Sequence, residues 1–153
     1  MKHYIGIDPG TQCGWAVIDE NGNRIASGTW DLSSRRHEGG GMRYVRLQSH
    51  LRQVFDAYPP ATVFYEEVRR HLGTDAAHVY GGIVSHIAAF CECRSTAYCG
   101  IPVGTVKKYA TGKGNAQKDA MIAATVARWP DWRGDDNEAD AIWVAVAGMK
   151  SIS

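Results

Sequence analysis

The sequence feature that most constrains this chain is a short apolar segment that ends in a carboxylate. Residues 4–7 read Tyr-Ile-Gly-Ile, Asp8 follows them, and Pro9 and Gly10 then end the strand. Asp8 is therefore predicted at the carboxyl edge of a sheet, where side chains leave the packed layers and face a crevice. An acid at such an edge is a candidate metal ligand, although taken alone it is more simply the start of a turn before Pro9.

The rest of the chain predicts an α/β domain with a mixed sheet. Further strands are predicted over residues 14–19, 24–30, 62–65 and 98–103, and helices over residues 42–58, 75–94, 105–110, 115–128 and 137–149. Asp75 and Asn115 are the expected N-caps of two helices. Asn21 and Gly22 form a hairpin turn, whereas strands reached through helices run parallel to their neighbours. The prediction is one domain over residues 1–153, with five strands in the order 3-2-1-4-5 flanked by helices.

Composition fits a globular protein. Hydrophobic residues make up 44% of the chain and charged residues 22%, and no apolar run approaches the roughly 20 residues that cross a bilayer. Since no basic-then-apolar leader is present either, the chain is predicted to be soluble and intracellular. Its four cysteines match neither a disulfide framework nor a common zinc pattern, so they are expected to be reduced, buried, small residues.

The distribution of charge says more than the net charge of +1. Acids gather in residues 135–140, and bases gather in residues 69–71 and 107–118. This separation suits a cation site flanked by surfaces that contact phosphate. Residues 33–41 have the composition of a mobile, solvated connector, with contact between its arginines and a phosphate backbone as the alternative.

Two further acids are predicted to join Asp8. The fourth strand runs into Glu66, and because that strand is predicted parallel to the first, Asp8 and Glu66 reach the same edge of the sheet. Asp140 lies one turn inside an otherwise apolar helix and shares a helix face with Asp136 and Asn137. Capping accounts for acids at the start of that helix, but a buried carboxylate one turn further in needs a cation or a donor beside it.

Such a cluster of hard oxygen donors suits Mg²⁺ or Mn²⁺ rather than zinc. Two divalent ions held by Asp8, Glu66 and Asp140, with Asp136 or Asn137 as a fourth ligand, can activate water and stabilise the leaving oxygen of a phosphodiester. Two bases on nearby segments are candidate partners for a phosphate, Lys107 and Lys118, although each taken singly is more simply a solvated surface residue.

Several motifs together resemble a known family. They are Asp8-Pro9-Gly10-Thr11 after an apolar strand, Tyr65-Glu66-Glu67-Val68, Val106-Lys107 followed by Gly112-x-Gly114-x-Ala116-x-Lys118, and Asn137-Glu138-Ala139-Asp140-Ala141. In order and spacing they resemble the motifs of RuvC-type Holliday junction resolvases, in the ribonuclease H-like superfamily. Residues 69–71 and 74–77 look most similar to phage and prophage versions.

The resemblance implies an RNase H-like fold and a cytoplasmic homodimer, in a bacterial cell or encoded by its phage, that makes paired nicks in four-way junctions with Mg²⁺. It implies metal ligands at Asp8, Glu66 and Asp140, and active-site or DNA-contacting bases at Lys107 and Lys118. The remaining bases expected at the DNA are Lys113, Arg69 and Arg70.

The chain departs from the family pattern at two positions. Asn137, a neutral and weaker ligand, stands where many members have an acid or a histidine, so Asp136 on the same helix face is the alternative fourth ligand. Arg69 stands where many members have an aromatic residue that stacks at the junction centre, which widens the expected substrates to flaps and forks. Two other classes share parts of the pattern: a non-catalytic junction-binding module of the same fold, and the ATP-binding actin and sugar-kinase group, whose members need two such lobes.

Overall fold

The computed structural model describes residues 1–71 and 73–153, which form one sheet with helices on both faces. The strands are β1 (His3–Asp8), β2 (Gln12–Asp19), β3 (Arg24–Asp31), β4 (Pro60–Glu67) and β5 (Ala97–Pro102). The helices are α1 (Met42–Ala57), α2 (Thr74–Cys93), α3 (Val103–Thr111), α4 (Lys118–Arg128) and α5 (Asp136–Ser151).

The predicted strand order is confirmed. The sheet runs β3-β2-β1-β4-β5, with β1, β2 and β3 antiparallel and with β1, β4 and β5 parallel. Since β2 is antiparallel to both of its neighbours, β1 and β3 point the same way. The carboxyl ends of β1, β3, β4 and β5 therefore all lie at one edge of the sheet.

Alternation along the central strands divides the core into two layers. Ile5 and Ile7 of β1 pack with residues of α1 and α2 on one face. Tyr4 of β1 and Phe64 of β4 pack with residues of α3, α4 and α5 on the other. Because side chains alternate with a period of two, Asp8 follows Tyr4 and Glu66 follows Phe64 onto the α5 face.

Two glycines let α5 lie directly on the sheet. A Cβ atom on Gly6 would collide with the backbone of α5 at Ala141, and one on Gly14 would collide with the carbonyl group of Asn137. Gly14 is also the β2 partner of Asp8 across the β1–β2 ladder. The first turns of α5 are thereby held beside the end of β1.

The predictions of helix caps are wrong at two positions. The N-cap of α2 is Gly73, so Asp75 lies inside the first turn. Its negative charge there still interacts favourably with the positive end of the helix dipole. The N-cap of α4 is Gln117 and the helix begins at Lys118, which leaves Asn115 in the preceding turn. Lys118 does lie in the first turn of its helix, as expected.

The prediction of four buried cysteines is half right. Cys13 and Cys91 are buried, whereas Cys93 and Cys99 are exposed, and all four are free thiols. Cys93 is the last residue of α2, and Cys99 lies on the edge strand β5, so neither is covered by a second layer. Within the described residues, no helix is both long and apolar enough to cross a membrane.

Candidate metal centre

Three carboxylates from three different elements meet at the carboxyl edge of the sheet. Asp8 ends β1, Glu66 lies near the end of β4, and Asp140 lies in the second turn of α5. Each offers an oxygen atom, and these atoms all lie within 4.8 Å of one another. The juxtaposition expected from the parallel β1–β4 pairing and from the position of Asp140 is therefore confirmed.

No hydrogen-bond donor compensates the negative charge that these three carboxylates would carry when ionised. Among the hydrogen bonds and ion pairs of the described residues, none reaches a side-chain oxygen of Asp8, Glu66 or Asp140. Glu66 is buried, with 8% of its surface exposed, and the other two are partly buried. A buried, unpaired carboxylate is costly, so a cluster of three calls for a bound cation or for protons.

Burial and mutual repulsion make the fully ionised triad unfavourable without a cation. Burial raises the pKa of Asp8 well above its ordinary value, and the charges of Glu66 and Asp140 raise it further. Burial also raises the pKa of Glu66, against the opposing charge of Lys107. The pKa of Asp140 rises to about 7, first through burial and then through Glu66. A divalent cation would favour the ionised forms of all three, because opposite charge lowers a carboxyl pKa.

The two candidates for a fourth ligand differ in charge and in surroundings. Asp136 Oδ2 lies 3.6 Å from Nζ of Lys118. Burial is the main cause of the raised pKa of Asp140, the charge of Glu66 is the second, and the charge of Asp136 is the third. Asn137 is neutral, partly exposed, and packs its backbone carbonyl against Gly14. Asp136 is therefore the candidate that interacts electrostatically with the triad.

The predicted bases lie at different distances from the acids. Lys107 is half-buried on α3, and its charge partly offsets the burial-raised pKa of two of the acids. Lys113 is exposed in the turn after α3. Arg69 and Arg70 are exposed after the end of β4, and Nε of Arg69 lies 2.9 Å from Oε1 of Glu67. Only Lys107 and, through Asp136, Lys118 are brought to the triad itself.

A group of polar contacts fixes the start of α5, and of these the sequence indicated only capping by an acid. The side chain of Asp135 caps the helix by accepting from the backbone N–H of Glu138 at 2.8 Å, and it also accepts from Thr29. The Glu138 carboxylate accepts from Trp132 Nε1 at 2.7 Å and from Ser27 at 2.6 Å. Glu138 thus points away from the triad, as its helix position predicts, and ties α5 to β3.

Tyr80 of α2 holds the strand end that carries Glu66. Its hydroxyl group donates to the backbone carbonyl of Glu66 at 2.8 Å and accepts from the backbone N–H of Val68 at 3.0 Å. The ring of His71 lies 4.8 Å from the Tyr80 ring, measured between centroids. The hydroxyl therefore replaces a strand partner where β4 leaves the sheet and fixes the backbone at a predicted metal ligand.

Replacing Tyr80 by phenylalanine is expected to weaken metal use more than folding. Y80F removes the hydrogen bond to the Glu66 carbonyl and the one from the Val68 N–H. Loss of groups that orient ligands typically costs about 10- to 100-fold in metal affinity or activity. The Mg²⁺ concentration that gives half of the metal-induced rise in melting temperature should increase by roughly tenfold. The rise in melting temperature on adding Mn²⁺ should shrink.

Y44F is the matched control for this experiment. Tyr44 is an α1 residue whose hydroxyl packs against Gly82 and whose ring stacks on His86, and no hydrogen bond joins it to Glu66 or Val68 within the described residues. Y44F keeps the stacked ring and removes a hydroxyl that makes no hydrogen bond within the described residues, so the Mg²⁺ requirement should stay that of the wild type. An unchanged Mg²⁺ requirement in Y80F would show that the Tyr80 hydroxyl does not position the site.

A five-stranded sheet of this order, with acids at the ends of β1 and β4 and a third acid on α5, is the arrangement expected of a ribonuclease H-like nuclease. The profile of the family described as crossover junction endodeoxyribonuclease RuvC matches residues 4–148. The chain therefore belongs to the RuvC family. This assignment favours the nuclease interpretation over the ATP-binding one.

Individual relatives agree with the family match. The crossover junction endodeoxyribonuclease RuvC of Nitratidesulfovibrio vulgaris strain Hildenborough is 29% identical over 97% of this chain and 92% of the relative. The protein of that name from Anaeromyxobacter sp. strain Fw109-5 is 32% identical over 95% of this chain and 71% of its own.

Solved structures share the fold at lower sequence identity. Thermus thermophilus RuvC in complex with a Holliday junction substrate superposes with a TM-score of 0.84 at 18% identity, covering 99% of this chain and 95% of that one. The yeast mitochondrial Holliday junction resolvase Ydc2 gives a TM-score of 0.68 at 14% identity, covering 97% and 78%. The RNase H-like fold that the sequence motifs implied is confirmed.

Proposed function

We propose that this protein is a structure-selective endonuclease that cuts four-way DNA junctions by hydrolysing phosphodiester bonds, leaving paired nicks. The observation that carries the proposal is the meeting of Asp8, Glu66 and Asp140 within 4.8 Å at the sheet edge, in a chain of the RuvC family. Three unpaired carboxylates so close together are hard to explain by stability, because their charges repel.

Two Mg²⁺ ions are the proposed cofactors, and Mn²⁺ is the proposed substitute. The donor set fits them, because carboxylate oxygens are the ligands that these hard cations prefer. Asp8, Glu66 and Asp140 are the proposed ligands, with Asp136 rather than Asn137 as the fourth because it carries charge. When bound, a pair of such ions supplies an activated water and stabilises the leaving oxygen.

The chain's own bases bind and orient the DNA strand. Lys107 is the proposed contact to the phosphate group next to the bond that is cut; its half-buried position and its effect on the pKa of Glu66 and Asp140 support this role. Lys118 is 81% exposed and pairs with Asp136 at 3.6 Å, so its side chain is free to turn to an incoming phosphate. Exposed Lys113, Arg69 and Arg70 are the proposed contacts to the outer backbone.

Paired nicks need two sites, so we propose that the working unit is a homodimer with one site in each protomer. Each protomer is proposed to act as a single nuclease domain over residues 1–153. The two sequence relatives named above come from bacteria, and we place the reaction in the bacterial cytoplasm, with a phage or prophage gene as one source.

Arg69 supports a broader second candidate, the cutting of flaps and forks. Its side chain is 83% exposed and extends beside Glu67. A charged, flexible guanidinium group in this position contacts phosphates in several geometries, whereas an aromatic ring stacks on unpaired bases. Cutting of flaps and forks at rates similar to the junction would establish this broader activity.

The decisive experiment compares branched and linear DNA under three conditions. Labelled four-way junction, flap, fork and duplex are incubated with the protein in Mg²⁺, in Mn²⁺ and in chelator. Symmetric nicks in the junction with either metal and none in chelator are expected, with duplex left intact. A shifted junction that is never nicked in either metal would identify a non-catalytic binding module instead.

A further inference from the structure

The segment between β3 and α1, residues 32–41, is held in place more firmly than its composition predicts; it is called the arginine loop below. Arg43 of α1 donates to the carbonyl of Leu32 at 2.7 Å, and Arg46 of α1 donates to the carbonyl of Ser33 at 2.7 Å. Arg46 also holds Glu38 of the loop, with N–O distances of 2.9 and 3.0 Å. The sequence predicted a mobile connector, whereas these hydrogen bonds tie the segment to α1.

These contacts leave the loop with a positively charged outer surface. Glu38 is occupied by Arg46 and by the backbone N–H of Arg35, at 2.7 Å. The side chains of Arg35, Arg36 and His37 are exposed at the tip, where His37 turns the backbone with a φ of 68°. Fixing the backbone in advance lowers the entropy lost when a ligand binds, so the tip is suited to hold a flexible anion.

One acid stands at the base of the loop. Asp31 accepts hydrogen bonds from the Ser33 hydroxyl and from Gln12, and these bonds, with the charge of Arg35 as a lesser cause, lower its pKa to about 2. The carboxylate is therefore held against the end of β3. The hydrogen bonds of Asp31 go to Ser33 and Gln12 and do not involve Arg36.

The arginine loop lies at the same sheet edge as the acidic triad. Leu32 donates its backbone N–H to the carbonyl of Thr11 at 2.7 Å, three residues after Asp8. The ends of β3 and β1 are two strand spacings apart, which is roughly 10 Å. Lys107 lies on the other side of the triad, on the helix that follows β5. The edge thus presents a positive loop, three acids and a positive helix, in that order.

We propose that the arginine loop binds the DNA phosphate backbone, through Arg35 and Arg36, on the side of the cut phosphate opposite to Lys107. This inference rests on the proposed function and extends it, because it gives the path of the DNA strand along the sheet edge, from the arginine loop past the triad to Lys107. The negative charge of the phosphates complements the positive charge of the tip, and arginine binds phosphate through paired N–H groups.

The test measures binding of a labelled four-way junction in chelator, by fluorescence anisotropy over a range of salt concentrations. R35Q/R36Q should weaken binding by at least tenfold at low salt, and the slope of log affinity against log salt should become shallower by about two per protomer. Melting temperature should stay unchanged. R35K/R36K keeps the charges and should retain most of the affinity.

The matched control is R52Q/K150Q, which removes two positive charges away from this edge. Arg52 is an exposed residue in the second half of α1, and Lys150 is exposed at the far end of α5. If R35Q/R36Q binds DNA with the salt slope of the wild type, or loses no more affinity than the control, the loop contact is wrong.

Failure of the loop contact can be told apart from failure of the proposed function. A wild-type protein that cuts junctions, with R35Q/R36Q binding as well as it does, overturns the loop contact alone. A wild-type protein that binds DNA but never cuts overturns the proposed function, and a tenfold loss in R35Q/R36Q then still supports the loop contact. A loop that instead contacts an acidic protein partner would leave the DNA affinity of R35Q/R36Q unchanged, and that result overturns the proposal.

Discussion

D8N is expected to abolish DNA cleavage while leaving junction binding intact. The amide removes the charge from one of the three carboxylates that lie within 4.8 Å of one another, and it coordinates a divalent cation poorly. The rate of nicking at saturating Mg²⁺ should fall by at least about 10³-fold, since the loss of single charge-stabilising groups already costs 10²- to 10³-fold. Junction affinity in chelator should stay within a few-fold or improve, because a negative charge has been removed.

E67Q is the matched control for D8N. Glu67 neighbours Glu66 in β4, but its side chain lies with Tyr65 on the other face of the sheet, where it approaches Gly100. E67Q should therefore cut junctions at close to the wild-type rate. Loss of junction binding in D8N would show that Asp8 has a structural role. Cleavage by D8N near the wild-type rate would show that Asp8 has no role in the reaction.

D140N is expected to stabilise the metal-free protein at neutral and alkaline pH while eliminating cleavage. Burial first, and then the charges of Glu66 and Asp136, raise the pKa of Asp140 to about 7 in the folded protein. The ordinary value in the unfolded chain is about 3.9. Between these two pH values the folded state holds a proton that the unfolded state has lost.

The direction of the pH dependence follows from that difference in bound protons. Because the unfolded state binds fewer protons, the free energy of unfolding falls as pH rises from about 4 to about 7. A rise of about three pKa units corresponds to at most roughly 4 kcal/mol. In chelator, the wild type should lose stability over this range, and D140N should lose less of it and be the more stable protein at pH 8.

Denaturant unfolding in chelator at pH 5 and pH 8 measures this effect. D56N serves as the control, because Asp56 is 65% exposed and its ion pair within the described residues is with exposed Arg94. Its pH dependence should match that of the wild type. Adding Mn²⁺ at pH 8 should raise the stability of the wild type more than that of D140N. A D140N variant less stable than the wild type at pH 8 in chelator would contradict the repulsion described for the triad.

The sequence carried enough information to predict the sheet and the triad. Asp8 and Glu66 each follow a short apolar strand, and the helix between those strands implies that they run parallel, so both acids had to reach one edge. Asp140 interrupts an apolar helix pattern, which marked it as a residue with a special reason to be buried. These are local signals, and the fold joins them through one pairing, β1 with β4.

Other parts of the site depend on contacts that local patterns do not encode. Tyr80 reads as one apolar position of α2, and only the crossing of α2 over the end of β4 brings its hydroxyl to the Glu66 backbone. The firm arginine loop depends on Arg43 and Arg46, which read as ordinary polar positions of α1. Asn115 is a good cap by residue type, but the backbone remains a turn until Gln117.

Crystals soaked in Mn²⁺ and measured at the manganese absorption edge show whether the triad holds the metal. Anomalous difference peaks are expected within coordination distance of Asp8, Glu66 and Asp140 in the wild type, with their loss or marked weakening in D8N. Ordered wild-type carboxylates with no manganese among them at millimolar concentration, or a manganese ion held only by other acids, would show that Asp8, Glu66 and Asp140 are not the metal site.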